Sequence, residues 1–180
     1  AALEQGSEHP LARAVLARAA AVDLPKVVNF SATPGQGVAG EIDGRRLRLG
    51  APAWLGMADD PSVLRLQQQG KTVVVLEEAG TALALLAIAD ALRPTSRVAV
   101  ERLRARGIRV VMLTGDNRTT AQAIAASLGI DEVEAEVLPE HKSETVARLK
   151  REGRVVAMAG DGVNDAPALA AAAVGIAMGS

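Results

Sequence analysis

The chain has 180 residues, a net charge of −1, no Cys and two His. With 20 basic against 21 acidic residues it lacks the basic face that nucleic acid requires, and without thiols it has neither disulfides nor a thiolate metal centre. Its 49% apolar content, much of it Ala and Val with one Phe and one Trp, is enough for an aliphatic core packed between layers. The longest uncharged run, Ala166–Ser180, contains Pro167, Gly175 and Gly179 and falls short of the roughly 18–20 apolar residues of a membrane span. Ala1–Gly6 lacks the basic start and long apolar stretch of a signal peptide. The chain opens inside an Ala-rich helical pattern and stops just after a strand-like run, so it is expected to be a piece of something longer.

Residues 1–89 begin with one helix and then turn strand-rich. Pro10–Ala21 has helical period, with Ser7 placed to cap its start. Val27–Ser31, Val38–Asp43, Arg45–Leu49, Thr72–Glu78 and Thr81–Ala89 read as strands separated by Gly, Pro and Asp. Asp43-Gly44 signals a hairpin, and Pro61–Gln69 a short helix ended by Gly70.

Residues 90–180 alternate between the two periods. Helices are expected over Thr95–Arg106, Asn117–Leu128, Pro139–Glu152 and Asn164–Ala172. Between them lie a buried strand at Ile108–Leu113 and further strands at Glu132–Val137, Arg154–Ala159 and Val174–Met178. That alternation predicts one parallel α/β sheet with right-handed crossovers, its chemistry beyond the carboxyl ends of the strands. Those ends are Thr114–Asp116, Pro139–Lys142 and Gly160–Asp165, and Asp90–Pro94 is the expected hinge between the halves.

Two motifs are decoys. Gly35-Gln36-Gly37-Val38-Ala39-Gly40 spells a dinucleotide fingerprint, but a strand follows where a helix is needed. Gly70-Lys71-Thr72 imitates a phosphate-binding loop, but Arg65 stands where that loop needs Gly.

The strongest local signal is the run from Gly160 to Pro167, Gly-Asp-Gly-Val-Asn-Asp-Ala-Pro. Asp161 and Asp165 at a Gly-rich turn suit Mg²⁺, which takes one or two carboxylates and keeps waters. Alternatively the run is a Gly-Asp turn in which Asn164 or Asp165 caps the next helix. Thr114-Gly115-Asp116 can hold a phosphate at a strand-to-helix turn, or Asp116 or Asn117 caps the following helix. Lys142 at a helix start can offset phosphoryl charge, or is simply solvated, as His141 beside it is expected to be. Falling in this order at successive strand ends, the three supply a phosphate cradle, a cation and a Mg²⁺ seat, the set that phosphoryl transfer requires.

This set resembles the haloacid dehalogenase superfamily, and Gly160–Pro167 resembles its P-type ATPase branch. Ser7-Glu8-His9-Pro10 is similar to the Ser-x-His-Pro signature in the nucleotide-binding domain of heavy-metal-transporting P-type ATPases, and Glu4, Gly35 and Gly37 match further nucleotide-site positions. The resemblance runs over essentially the whole chain. It implies an α+β, antiparallel-sheet ATP-binding domain over 1–89. It implies a haloacid-dehalogenase-like phosphorylation domain over 90–180, a parallel sheet with helices on both faces that lacks its first strand and its C-terminal end. ATP and Mg²⁺ are the implied cofactors. Glu4, His9, Gly35, Gly37 and Gly50 would serve the nucleotide, although Ala51 follows Gly50 where the family often has Asn. Thr114 and Gly115 would hold phosphoryl oxygens, with Asp116 between nucleotide and phosphate. Lys142 would offset developing charge. Asp161 would bind Mg²⁺ directly, with Asn164 and Asp165 supporting from the edge of the site.

The family's phosphorylated Asp, in Asp-Lys-Thr-Gly-Thr, is absent from the sequence. The resemblance therefore implies partners in the same polypeptide: membrane and actuator domains, and a transported heavy-metal ion bound outside this segment. It also implies a place on the cytoplasmic face of a membrane. Ala1–Ala14, Ala51 and the run Ala171–Val174, with no Asp before the last strand, look more like zinc, cadmium or lead exporters than copper exporters. The competing readings are a soluble phosphatase of the same superfamily, which should carry its own Asp-x-Asp, and a non-enzymatic nucleotide-binding module.

Overall fold

The computed structural model describes residues 1–7, 10–89, 91–161 and 165–178. The expectations placed on His9, Asn164 and Asp90 lie outside the described residues. The chain divides into two compact units, Ala1–Arg93 and Pro94–Ser180. No described helix is long and apolar enough to cross a membrane.

The first unit is a five-stranded antiparallel meander, β1 (Val28–Thr33), β2 (Gly37–Ile42), β3 (Arg45–Gly50), β4 (Thr72–Glu78) and β5 (Thr81–Ile88), in that order across the sheet. Two tight turns set its register. Asp43-Gly44 (φ 51° and 76°) and Ala79-Gly80 (φ 47° and 85°) both take positive φ at two successive residues, the backbone twist that a two-residue hairpin needs. Alternation along the strands then sorts the side chains. Val38, Leu49 and Val74 face one side, where Leu3 of the 3-10 turn Ala2–Gly6 and Leu11 of α1 (Pro10–Arg18) cover them. Val73 and Val75 face the other, against Val63 of α2 (Pro61–Gln67). Val63 and Val75 are fully buried, each contributing about 1.5–3 kcal/mol. Asp60 caps α2, accepting from Ser62 N–H at 2.8 Å and Val63 N–H at 3.2 Å. Helix α1 stops at Arg18, three residues short of the expected Ala21.

The second unit runs α3 (Pro94–Ala105), β6 (Val111–Leu113), α4 (Arg118–Leu128), β7 (Glu132–Glu134), α5 (Pro139–Arg151), β8 (Ala157–Gly160), α6 (Ala166–Ala171) and β9 (Val174–Ala177). The expected single parallel sheet is instead two parallel pairs among the described residues, β6 with β7 and β8 with β9. Among the described residues each strand is therefore paired along one edge only. The consequence is short strands: β6 is three half-buried residues rather than a buried Ile108–Leu113, and Ile108 is exposed. Likewise Val155 is 90% exposed and β8 starts only at Ala157, although Arg154 looked like its first residue. Helices α4 and α6 are the crossovers. Ala121 and Ala125 on α4 and Ala168 on α6 are buried, small enough for the helices to pack closely, and Thr120 on α4 is buried beside them.

Candidate functional site

In the second unit the three strand-end loops can be followed bond by bond. After β6, the Thr114 N–H donates to Glu134 O at 3.0 Å and its carbonyl accepts from Val137 N–H at 3.1 Å. Asp116 O accepts from Glu136 N–H at 2.9 Å, which laces the loop to the one after β7. Glu136 sits at φ 59°, a left-handed conformation that costs a non-Gly residue about 1–3 kcal/mol and is concentrated at functional loops. The Thr114 hydroxyl accepts from Asp116 N–H at 3.1 Å and donates to Asp116 Oδ2 at 3.0 Å. Asn117, not Asp116, caps α4, its Oδ1 accepting from Thr120 N–H at 3.0 Å. The α4 cap is thus supplied by Asn117, and the Asp116 carboxylate meets the Thr114 hydroxyl at the loop tip. A Cβ on Gly115 would find Val137 O at 3.5 Å, an ordinary contact, so space alone does not demand Gly here.

Leu138 is the N-cap of α5, and Lys142 lies one turn in. Its Nζ meets Asp165 Oδ1 at 2.7 Å, with the two side chains only 15% and 12% exposed. Lys142 is not a solvated surface cation. Asp165 stands at the N-cap of α6, yet its side chain caps nothing. Its carboxylate turns instead toward Lys142 and lies against Gly160, where an added Cβ would come within 2.8 Å of Asp165 Cβ and 2.9 Å of Cγ. Only Gly at 160 lets the carboxylate pack there. Asp161 follows at the exposed end of β8 and engages a further partner.

The structure therefore joins Lys142, Gly160 and Asp165 directly. It ties Thr114–Asp116 to the Val137 loop from which α5 springs. For Mg²⁺ the donor chemistry fits: Asp161 is a hard oxygen donor at a strand end, and one or two carboxylates with waters and phosphate suffice. Asp165, with one oxygen on Lys142, is the weaker donor of the two.

In the first unit, Glu4 lies in the 3-10 turn and is 6% exposed. Gly6 approaches the Phe30 ring so closely that a Cβ there would come within 2.9 Å of Cζ, and a Cβ on Gly40 would come within 2.9 Å of Leu3 Cδ2. These two contacts hold the turn on the sheet. Gly35 takes φ +70° in open space, a position that needs Gly for its backbone alone. Gly37 and Gly50 face each other across the β2–β3 ladder. A Cβ at 37 would reach 2.6 Å from Gly50 Cα and 2.9 Å from Trp54 Cζ3, and one at 50 would reach 2.7 Å from Trp54 Cε3.

Sequence reasoning passed over what stands behind this pair. The Arg48 guanidinium lies 5.6 Å from the Trp54 ring centroid and donates from Nε to Glu77 Oε2 at 2.6 Å. Glu77, 2% exposed, also accepts the Gly80 N–H. The bond from Arg48, helped by that from Gly80, holds the Glu77 carboxyl below its ordinary range against the opposing effect of burial. The only signal in the sequence was the period-2 placement of an acid on a face otherwise built of Val.

Residues 1–173 match the family model of haloacid dehalogenase-like hydrolases. The silver exporting P-type ATPase of Salmonella typhimurium is 47% identical over 190 residues, covering 100% of this chain and 23% of that protein. The copper-transporting P-type ATPase of Rhizobium leguminosarum bv. viciae is 48% identical over 188 residues, covering 100% of this chain and 22% of its own length. The chain thus spans under a quarter of the curated relatives it matches here. Among solved structures, the catalytic domain of the CPx-ATPase CopB-B is 29% identical with a TM-score of 0.69, over 95% of this chain and 62% of that one. A zinc-transporting PIB-type ATPase in its E2.Pi state is 40% identical with a TM-score of 0.59, over 98% of this chain and 30% of that one.

Proposed function

From the premise that the chain belongs to the haloacid dehalogenase-like hydrolase family, we propose that it is the ATP-binding and phosphorylation segment of an ATP-driven heavy-metal exporter with copper or silver as cargo. The cargo ranking reverses the zinc-first expectation drawn from Ala1–Ala14, Ala51 and Ala171–Val174: the curated relatives quoted above carry silver and copper, at 47% and 48% identity. The small residues behind the zinc reading are the cheap ones to exchange, since Ala contributes little beyond its backbone, and they are a poor guide to an ion bound elsewhere.

On this reading, residues 1–89 present the nucleotide through Glu4, His9, Gly35, Gly37 and Gly50. Residues 90–180 receive its terminal phosphate. Thr114 and the Gly115 backbone hold phosphoryl oxygens, Asp116 stands where nucleotide and phosphate meet, and Lys142 offsets the charge that develops in transfer. Asp161 holds Mg²⁺, with Asn164 and Asp165 in support; the ion supplies charge neutralisation on the phosphate. The nucleophilic Asp comes from a strand of the parent protein outside this sequence. The free edges of β6 and β8 are the natural seats for that strand. Membrane and actuator domains of the same polypeptide complete the transporter, with this segment on the cytoplasmic face.

The observation that carries the reading is the buried Lys142–Asp165 pair packed on Gly160 at the end of β8. Burying a Lys and an Asp together costs desolvation that a merely structural turn has no need to meet. CopB-B, in whose catalytic domain conformational changes accompany nucleotide binding, supports an ATP site in a segment of this kind. The test is calorimetric titration of the 180-residue chain with Mg·ATP, followed by incubation with γ-labelled ATP. Binding without a stable acyl phosphate is the expected result; no binding, or a labelled protein, overturns it. For the cargo, expression of the full-length parent should restore growth of an exporter-deficient strain on copper or silver. Restoration on zinc alone overturns that part.

A further inference from the structure

Gly37 and Gly50 direct their missing side chains toward the sheet face that carries Val73, Val75 and α2, and Trp54 fills that space. The 3-10 turn with Leu3 and Glu4 packs on the opposite face, over Val38, Leu49 and Val74. The indole therefore closes one side of the Gly37–Gly50 pair, and the side that carries the 3-10 turn with Glu4 is the one on which it does not stand. The indole is itself fixed. The Trp54 backbone N–H donates to Ala51 O at 3.1 Å and the Ala51 backbone N–H to Gln36 O at 2.7 Å, so the turn bearing the ring is bonded to the glycine loop. Arg48 stands over the ring and is held in turn by Glu77.

We infer that Trp54 is a positioning residue for the nucleotide: backed onto Gly37 and Gly50 and braced by Arg48, it holds the Gly35–Gly37 backbone at the height at which an adenine nucleotide on the Glu4 side can meet it. The inference rests on the nucleotide reading of this unit and adds a residue to it. A flat ring is needed, because a planar edge can lie against two Cα atoms at once, whereas a branched aliphatic side chain of similar bulk contacts one and pushes on the other.

The chain has one Trp and no Tyr, so emission excited at 295 nm comes from Trp54 alone. The experiment titrates Mg·ATP into the 180-residue wild type by calorimetry and by Trp emission in parallel. It then titrates Trp54→Phe and Trp54→Leu by calorimetry, with far-UV circular dichroism and a urea midpoint for each. Expected are an emission change with the same midpoint as the heat, an affinity within twofold of wild type for Trp54→Phe, and one weakened at least fivefold for a folded Trp54→Leu. A residue that only fills the core would shift both urea midpoints and leave the affinities alone. The inference is overturned if wild-type heat shows binding while Trp emission stays flat, or if folded Trp54→Leu binds as wild type does. Should Trp54→Leu fail to fold, the emission titration decides, together with Trp54→Phe. If the wild type gives no heat of binding at all, the nucleotide reading itself fails and takes the inference with it.

Discussion

The two units hold their loops in place by opposite means. In the first, two of the four strand connections are two-residue turns, every inner strand is bonded on both edges, and cores form on both faces of the sheet. The glycine loop is then a rim of a rigid body. In the second, parallel pairing requires helical crossovers, and no backbone ladder joins β6–β7 to β8–β9 among the described residues. Side chains must do the joining. Lys142 to Asp165 and Lys150 Nζ to Ala171 O, both across α5 and α6, are two such ties among the described residues. The first unit is thus fixed by its ladder, and the second by small buried apolar side chains together with polar contacts such as these.

The largest effect should come from breaking the strongest tie. Lys142→Ala leaves the Asp165 carboxylate largely buried and unpaired, at a cost of about 3 kcal/mol. Trp54 reports the first unit alone, whereas far-UV ellipticity reports both. In urea, Lys142→Ala should therefore lower the ellipticity transition of the second unit and leave the Trp54 transition where it was. Coincident shifts of both signals would mean that the units unfold as one, and the contrast drawn between them would be lost.

The mirror experiment is Glu77→Gln, which weakens the brace behind the glycine pair and should cost about 2 kcal/mol. Here the Trp54 transition should move and the remaining ellipticity should not. The pH dependence has a definite sign. The folded-state pKa of Glu77 is depressed, so its contribution is fully present above the ordinary value of 4.5 and disappears as the pH falls through the depressed folded value. Wild type should be flat in this respect from pH 7 to 5 and lose stability below that. Glu77→Gln should show a shallower loss, since the Glu78 and Glu132 carboxyls, also depressed by their Arg partners, remain.

Asn117→Ala tests the division of labour at the Thr114 loop. Losing the cap should cost about 1 kcal/mol, seen in the ellipticity transition. Asp116→Ala should cost less, because Asn117 is the N-cap of α4; equal costs would return Asp116 to a purely structural role.

How far the sequence could be read follows from the same contrast. The meander was legible almost residue by residue, since its strands alternate and its turns carry Gly; β3 begins at Arg45 and β4 spans Thr72–Glu78, as the pattern implies. The continuity of the parallel sheet was not legible. The period of a strand says which residues are apolar, not whether a neighbour exists to pair with, so Ile108–Leu113 and Arg154–Ala159 looked longer than β6 and β8 are. The order Thr114, Lys142, Asp161 was visible at once, but the partner of Lys142 was not. Asp165 lies 23 residues away, and a Lys in the first turns of a helix looks the same in sequence whether it is solvated or buried. Trp54 and Glu77 escaped for a related reason: Trp54 packs on two glycines, and Glu77 bonds to Arg48 on the neighbouring strand and to a turn N–H, contacts that no local pattern announces.

The smallest effect concerns the turn that Glu77 helps to close. Ala79 holds φ 47° at the first position of a two-residue hairpin, where its Cβ crowds the backbone at about 1–2 kcal/mol. Replacing it with Gly removes that strain but adds backbone freedom to the unfolded chain, worth roughly 0.5–1 kcal/mol in the opposite direction. The strain is the larger quantity, so Ala79→Gly should stabilise the first unit by about 0.5 kcal/mol, read as a small rise in the urea midpoint of Trp54 emission. The equivalent change at Asp43, in the same kind of turn, should gain less, because Asp tolerates the left-handed region better than Ala does. A loss of stability in Ala79→Gly would show that the Glu77 bond to the Gly80 N–H depends on the turn being stiff, and that the brace behind the glycine loop begins at Ala79 rather than at Glu77.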